Sequence, residues 1–113
     1  MHKPASIAGI AAGAGSGEIE GYQVGSNVSI IIVEHTAIGA GPAMHSHPYP
    51  ETFVVLEGNV EFNVGGERIT MSAGSVLVAP AGIPHRFANL GPGRLRQVDI
   101  HGSDRFITDW LDT

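Results

Sequence analysis

Turns at short intervals constrain this chain more than any other feature. Sixteen glycines and seven prolines punctuate 113 residues, a density that favours short strands over the long uninterrupted segments of a helical bundle. The runs between them are β-prone: 28–37 VSIIIVEHTA, 52–57 TFVVLE, 76–79 VLVA and 94–101 RLRQVDIH. Val60, Phe62 and Val64 alternate with polar residues, and Gly65-Gly66 supplies the positive φ values of a two-residue hairpin turn. With about eight to ten such strands and no crossover helix, the pattern specifies an all-β sandwich or barrel.

The ends are read differently. Residues 1–17 are rich in Gly and Ala and form an expected flexible N-terminal arm, which leaves 18–113 as a single domain. Glu18 to Val24 is expected as a first strand, with Gly21 as a bulge or a close contact. From Ser103 the period changes: Ser103 as a cap and Phe106, Ile107, Trp110 and Leu111 at helical spacing predict a short C-terminal helix docked by its apolar stripe. In that frame Trp110 is a packing residue.

Composition closes off several functions. Six Lys and Arg against eleven Asp and Glu give a formal charge of -5, unsuited to a phosphate backbone, so nucleic acid is not an expected partner. No window approaches the roughly 20 apolar residues of a membrane span. The opening segment lacks the leucine-rich core of a signal peptide, and a cytoplasmic protein is expected. Without cysteine, any metal must sit on nitrogen and oxygen ligands. Ile30 to Val33 is apolar on both faces of its strand, which in so small a chain points to a subunit interface and a homodimer.

Two stretches concentrate chemistry. His45 and His47 lie two apart on an extended segment stiffened by Pro48 and Pro50, so both imidazoles face one way with Cα atoms about 6.7 Å apart. Glu51 follows past the Pro-Tyr-Pro turn, and His85 arrives on a loop framed by Gly82 and Pro84. Three imidazoles and a carboxylate suit one borderline divalent ion (Fe, Mn, Co, Ni or Zn), and the donor set does not choose among them.

These residues resemble the two signature motifs of the cupin superfamily of small jelly-roll barrels. Gly39, His45, His47, Glu51 and Gly58 meet the first motif, and Gly74, Pro80, Gly82, His85 and Asn89 meet the second. The fifteen residues between Gly58 and Gly74 match the spacer of single-domain members. The resemblance implies a double-stranded β-helix with one divalent ion per chain on His45, His47, Glu51 and His85. It does not choose a reaction, because cupins include dioxygenases, isomerases, decarboxylases and non-catalytic binding domains. An O2-using, dioxygenase-type enzyme acting on a small organic substrate is the leading expectation. A metal Lewis-acid isomerase or lyase and a non-enzymatic binding module are the alternatives.

Around the ion, strand alternation turns Phe53 and Val55 inward with Glu51, leaves Val54 and Leu56 outward, and puts Phe87 on the side of His85. Met44, Tyr49, Phe53, Phe62 and Phe87 are the expected pocket residues. On the last long strand Gln97, Asp99 and His101 share a face. Either that face lines the barrel, making Asp99 or His101 a catalytic acid or base, or it is solvated over a Val98/Ile100 core. Related sugar-acid isomerases place an acidic residue as Asp99 would be, with Arg105 as a candidate carboxylate anchor here.

Overall fold

The computed structural model describes residues 4–7, 10 and 15–111. Its ten strands form two five-stranded antiparallel sheets packed face to face. One sheet runs β1 (Gly17–Ile19), β2 (Ser29–His35), β9 (Leu95–His101), β4 (Glu51–Glu57), β7 (Val76–Ala79). The other runs β10 (Asp109–Trp110), β3 (His45–Ser46), β8 (His85–Asn89), β5 (Asn59–Val64), β6 (Glu67–Ser72). This is a barrel, as the turn spacing predicts, and of the jelly-roll form that the cupin resemblance implies. Among the described residues, no helix is long and apolar enough to cross a membrane.

Alternation builds the interior. In β4, Glu51, Phe53 and Val55 are buried while Leu56 is half exposed. Phe53, Phe62 and Phe87 stack between the sheets at centroid separations of 4.7 to 6.1 Å, joined by Val33, Val55, Val60 and Leu95. Each fully buried side chain of this kind contributes about 1.5–3 kcal/mol. The apolar cluster fills the barrel below the histidines, so rings there are held by close packing.

Both ends depart from the sequence expectation. β1 stops at Ile19, and Gly21–Gln23 forms a 3-10 turn in place of a continued strand. Gly21 passes so close to the loop beneath it that a Cβ would sit 2.3 Å from the Val28 carbonyl oxygen. The C-terminal helix does not form. Residues 103–108 run as an irregular segment and β10 adds a strand to the second sheet, with Asp109 opposite Ser46 and Trp110 opposite His45. Two turns of helix are marginal in water, whereas here the backbone finds partners along the barrel. Phe106 N–H donates to Glu20 Oε2, Ile107 N–H to Tyr49 Oη and Leu111 N–H to the Met44 carbonyl. Most of the N-terminal arm lies outside the described residues; the Ser16 hydroxyl donates to the Glu34 carbonyl and accepts from its N–H.

Candidate metal centre

Four strands deliver the site. β3 carries His45 and leads to His47, β4 opens on Glu51, and β8 opens on His85 directly opposite His45. β9 ends on His101, opposite Glu51. His45, His47, Glu51 and His85 are all buried, and each offers a ligand atom within 4.8 Å of those of the others. The three rings converge with centroids 4.6 to 5.3 Å apart.

Their outward nitrogens are already committed. His45 Nδ1 lies 2.7 Å from the Ala43 carbonyl, His85 Nδ1 2.9 Å from the Ile83 carbonyl and His47 Nδ1 2.8 Å from the Ile107 carbonyl. A carbonyl only accepts, so each Nδ1 holds its proton and donates it. Every neutral imidazole therefore turns a bare Nε2 lone pair inward, the tautomer that metal-ligating histidines require. His47 Nε2 and His85 Nε2 both meet Glu51 Oε1, at 3.0 and 3.1 Å. Two lone pairs facing one carboxylate oxygen repel unless a cation, proton or metal, stands between them. The donor set fits a divalent ion.

Charges answer to this crowding. Burial alone would raise the Glu51 carboxyl, but the rings of His101, His47 and His85, which donate to the carboxylate when their facing nitrogens are protonated, outweigh it and hold the group far below the usual range. Burial works to lower His47, yet the Glu51 carboxylate and the Ile107 carbonyl bring it above its ordinary value. For His45, burial wins and the value falls.

A cavity of about 490 Å³ opens over the cluster. Its walls include Ile31, Val33, His35, Phe87, Asp99 and Trp110. Gln97, Asp99 and His101 point inward at 0%, 3% and 3% exposure, so the polar face of β9 lines the barrel and the solvated alternative is excluded. Asp99 accepts a hydrogen bond from Gln97 Nε2 at 2.8 Å. Burial first, then the Glu51 charge, push its carboxyl well above the usual value.

Of the five expected pocket residues, only Phe87 lines this cavity. Phe53 and Phe62, at 1% and 0% exposure, belong to the core beneath it, since the inward face of a strand lines a cavity only near the open end. Met44 is not among the cavity's lining residues, and its carbonyl accepts from Leu111 N–H. Tyr49 stands behind the site, stacked on His47 at 5.0 Å and bonded to His101 Nδ1 at 2.7 Å. Arg105 is no anchor for a bound carboxylate either; its guanidinium lies over the Tyr22 ring, 4.2 Å from the centroid. Trp110 does not take the packing role expected of it. It is 63% exposed, lines the cavity and lies 5.0 Å from the His45 ring. No helical period could reveal this, because its placement depends on a strand pairing across 65 residues of sequence.

The family model described as Cupin domain matches residues 32–101. A polyketide synthase, CurC, of Streptomyces cyaneus is 42% identical over 55 residues, 48% of this chain and 36% of that protein. The chain thus spans little more than a third of this curated relative. Among solved structures, an oxalate oxidase bound to glycolate superposes with a TM-score of 0.73 at 21% identity, over 84% of this chain and 53% of that one. The Lactobacillus farciminis oxalate decarboxylase formate complex gives 0.76 at 21% identity, over 85% and 30%. An uncharacterised double-stranded β-helix protein of Klebsiella pneumoniae gives 0.68 at 22%, over 77% and 76%. At these identities the superpositions speak for the fold. Two complete motifs, a jelly-roll barrel and a family match over more than half of its length agree that the chain belongs to the cupin family.

Proposed function

We propose that this cupin is a metal-dependent enzyme that carries out proton-transfer chemistry, isomerase- or lyase-type, on a small substrate bearing carbonyl or carboxylate oxygens. The observation that carries the metal half of this reading is the commitment of all three Nδ1 atoms to backbone carbonyls, which leaves three Nε2 lone pairs for the cluster, two of them on Glu51 Oε1. A divalent ion held by His45, His47, Glu51 and His85 would supply Lewis acidity to a chelating oxygen and, if redox-active, electrons for O2.

The chain's own groups supply the rest. Asp99, whose carboxyl burial and the Glu51 charge push toward its neutral form, can give a proton to a substrate carbon or oxygen and take it back. His101 stands next to it with a fixed tautomer, described below. Ile31, Val33 and Phe87 present apolar surface that keeps water from the reacting atoms. The Trp110 indole at the mouth offers a flat face to a planar ligand. The likeness to a protein named as a polyketide synthase agrees with a substrate carrying 1,3-related carbonyls, whose enolate is a natural bidentate chelator.

O2-dependent oxidation of the same substrate class is the second reading, favoured by the apolar cavity walls, through which O2 passes readily. One experiment separates the readings. Wild type and His85→Ala are loaded anaerobically with Mn(II), Fe(II) or Zn(II), and ion content per chain is measured by elemental mass analysis. β-Dicarbonyl and hydroxy-acid probes are then followed by NMR in D2O with and without O2. One ion per chain, lost in the variant, with deuterium incorporation that needs no O2 supports proton transfer. Turnover tied to O2 uptake shifts the assignment to oxidation. Ligand retention without turnover makes the protein a binding module, and no ion under any condition overturns both enzyme readings.

A further inference from the structure

The segment that follows β9 touches the site through one peptide unit. The Ile107 carbonyl accepts from His47 Nδ1, and the Ile107 N–H donates to Tyr49 Oη at 3.2 Å. The direction of the next bond follows. Tyr49 Oη accepts from that N–H, and its own hydrogen has His101 Nδ1, 2.7 Å away, as the acceptor. His101 accordingly carries its proton on Nε2, which lies 3.0 Å from Glu51 Oε2. One peptide thus fixes His47 on one side and, through Tyr49 and His101, Glu51 on the other.

Its other contacts are polar or ring-edge: the Ser103 and Asp104 carbonyls accept from Ser29 Oγ and Tyr22 N–H, Arg105 covers the Tyr22 ring, and Phe106 meets His101 edge-on. Ile107, Trp110 and Leu111 are 48%, 63% and 38% exposed, and no residue from 102 to 111 is fully buried. Segments with few buried apolar contacts open at low free energy. Its docking therefore rests on polar and ring contacts that end on Tyr49, His47, Glu20, Tyr22, Ser29 and His101, together with the two-residue pairing of β10 on β3.

We propose that residues 103–111 are a strap whose docking is coupled to ion binding through the Ile107 peptide. An ion on His47 Nε2 leaves that ring's only proton on Nδ1, where it must donate to Ile107, and an ion on Glu51 fixes the carboxylate that faces His101. The strap, once docked, presents the site with its tautomers already set. Coupling of this kind is reciprocal: whatever loosens the strap weakens the ion by the same factor that the ion tightens the strap. Because Trp110 rides on the strap, the cavity mouth closes in step with metal loading. The inference rests on the metal reading above.

Amide hydrogen exchange of the full chain, with and without saturating Zn(II), reads the first half. The Phe106, Ile107 and Leu111 amides are expected to slow at least roughly fivefold on Zn(II) addition, while those of the β5–β6 hairpin hold steady. Chelator competition reads the second half. Glu20→Ala removes a tether remote from the ligands and is expected to weaken Zn(II) by roughly five- to tenfold at unchanged stoichiometry. Tyr49→Phe, which keeps the ring on His47 but breaks the chain to His101, is expected to do the same. If Zn(II) binds one per chain but strap exchange and both affinities stay at wild-type values, the coupling is overturned and the metal site stands. If no ion binds, the metal reading falls and the coupling with it.

Discussion

Glu51 and Asp99 are buried carboxyls on neighbouring strands, and their surroundings drive them apart. Glu51 has imidazoles around both oxygens and keeps its charge. Asp99 has burial and the Glu51 charge against ionisation, with only the Gln97 amide in favour. Under the proposed reading the first is an anion able to hold an ion and the second an acid, a division of the kind found in acid–base sites. A carboxyl whose folded-state value is raised favours folding below its unfolded value, and that contribution is lost as pH rises through the folded value. Asp99→Asn keeps an acceptor for Gln97 and has no proton to lose. In the ion-free protein it is expected to raise Tm by roughly 4–8 °C per ~1 kcal/mol relieved, with a gain over wild type that grows as pH climbs above the usual carboxylate range. The same variant should retain its ion and lose turnover. Thermal melts across pH check the first expectation; a gain that shrinks with pH would mean that Asp99 is ionised in the fold.

Asn89 ends β8 and ties the elements that carry the site. Its amide Nδ2 donates to the carbonyls of His35, Ala37 and Gly93, and its Oδ1 accepts from Gly91 N–H. With its side chain 1% exposed, Asn89→Ala would leave several backbone groups without partners, and unfolding in urea is expected to show a loss of about 2–4 kcal/mol. A loss under about 1 kcal/mol would indicate that water replaces the amide. Sequence marked Asn89 as the end of the second motif but could not say why an amide belongs there. Gly58 was legible in the same way: its φ of +89° and a Cβ position 2.4 Å from the Arg94 carbonyl admit no side chain. The longer strands, the hairpin and the meeting of His45, His47, Glu51 and His85 could be read because each rests on local period or fixed spacing. The strap, the Tyr49–His101 link and the cavity role of Trp110 could not, since they depend on contacts between segments 52 to 65 residues apart. A helical stripe in the last ten residues misled because tertiary hydrogen bonds outweighed a weak propensity.

At the scale of the molecule, the outer face of the first sheet remains. Register lines up Ile19, Ile30, Ile100, Thr52 and Val78 in one row, and Ile32, Val98, Val54 and Val76 in the next. Their partners Ile31, Val33, Gln97, Asp99 and Phe53 point the other way, into the barrel, so these apolar side chains cannot serve the same core. Val76 and Val78 are 61% and 48% exposed, and Leu56 beside them 50%. Ion pairs among Glu34, Arg94, Arg96 and Glu57 border the rows at one end. A continuous apolar sheet face with a charged rim is the makeup of a subunit interface, and pairing two such faces about a two-fold axis makes the contact self-complementary. The chain is therefore expected to be a homodimer in solution through this face. Val98→Glu, outward on the central strand β9, should yield a monomer by sedimentation velocity while leaving ion stoichiometry at wild type, because Gln97 and Asp99 on the opposite face are untouched. A dimer that survives Val98→Glu with unchanged affinity would place the contact elsewhere. A wild type that is monomeric at all concentrations would leave this face to another partner.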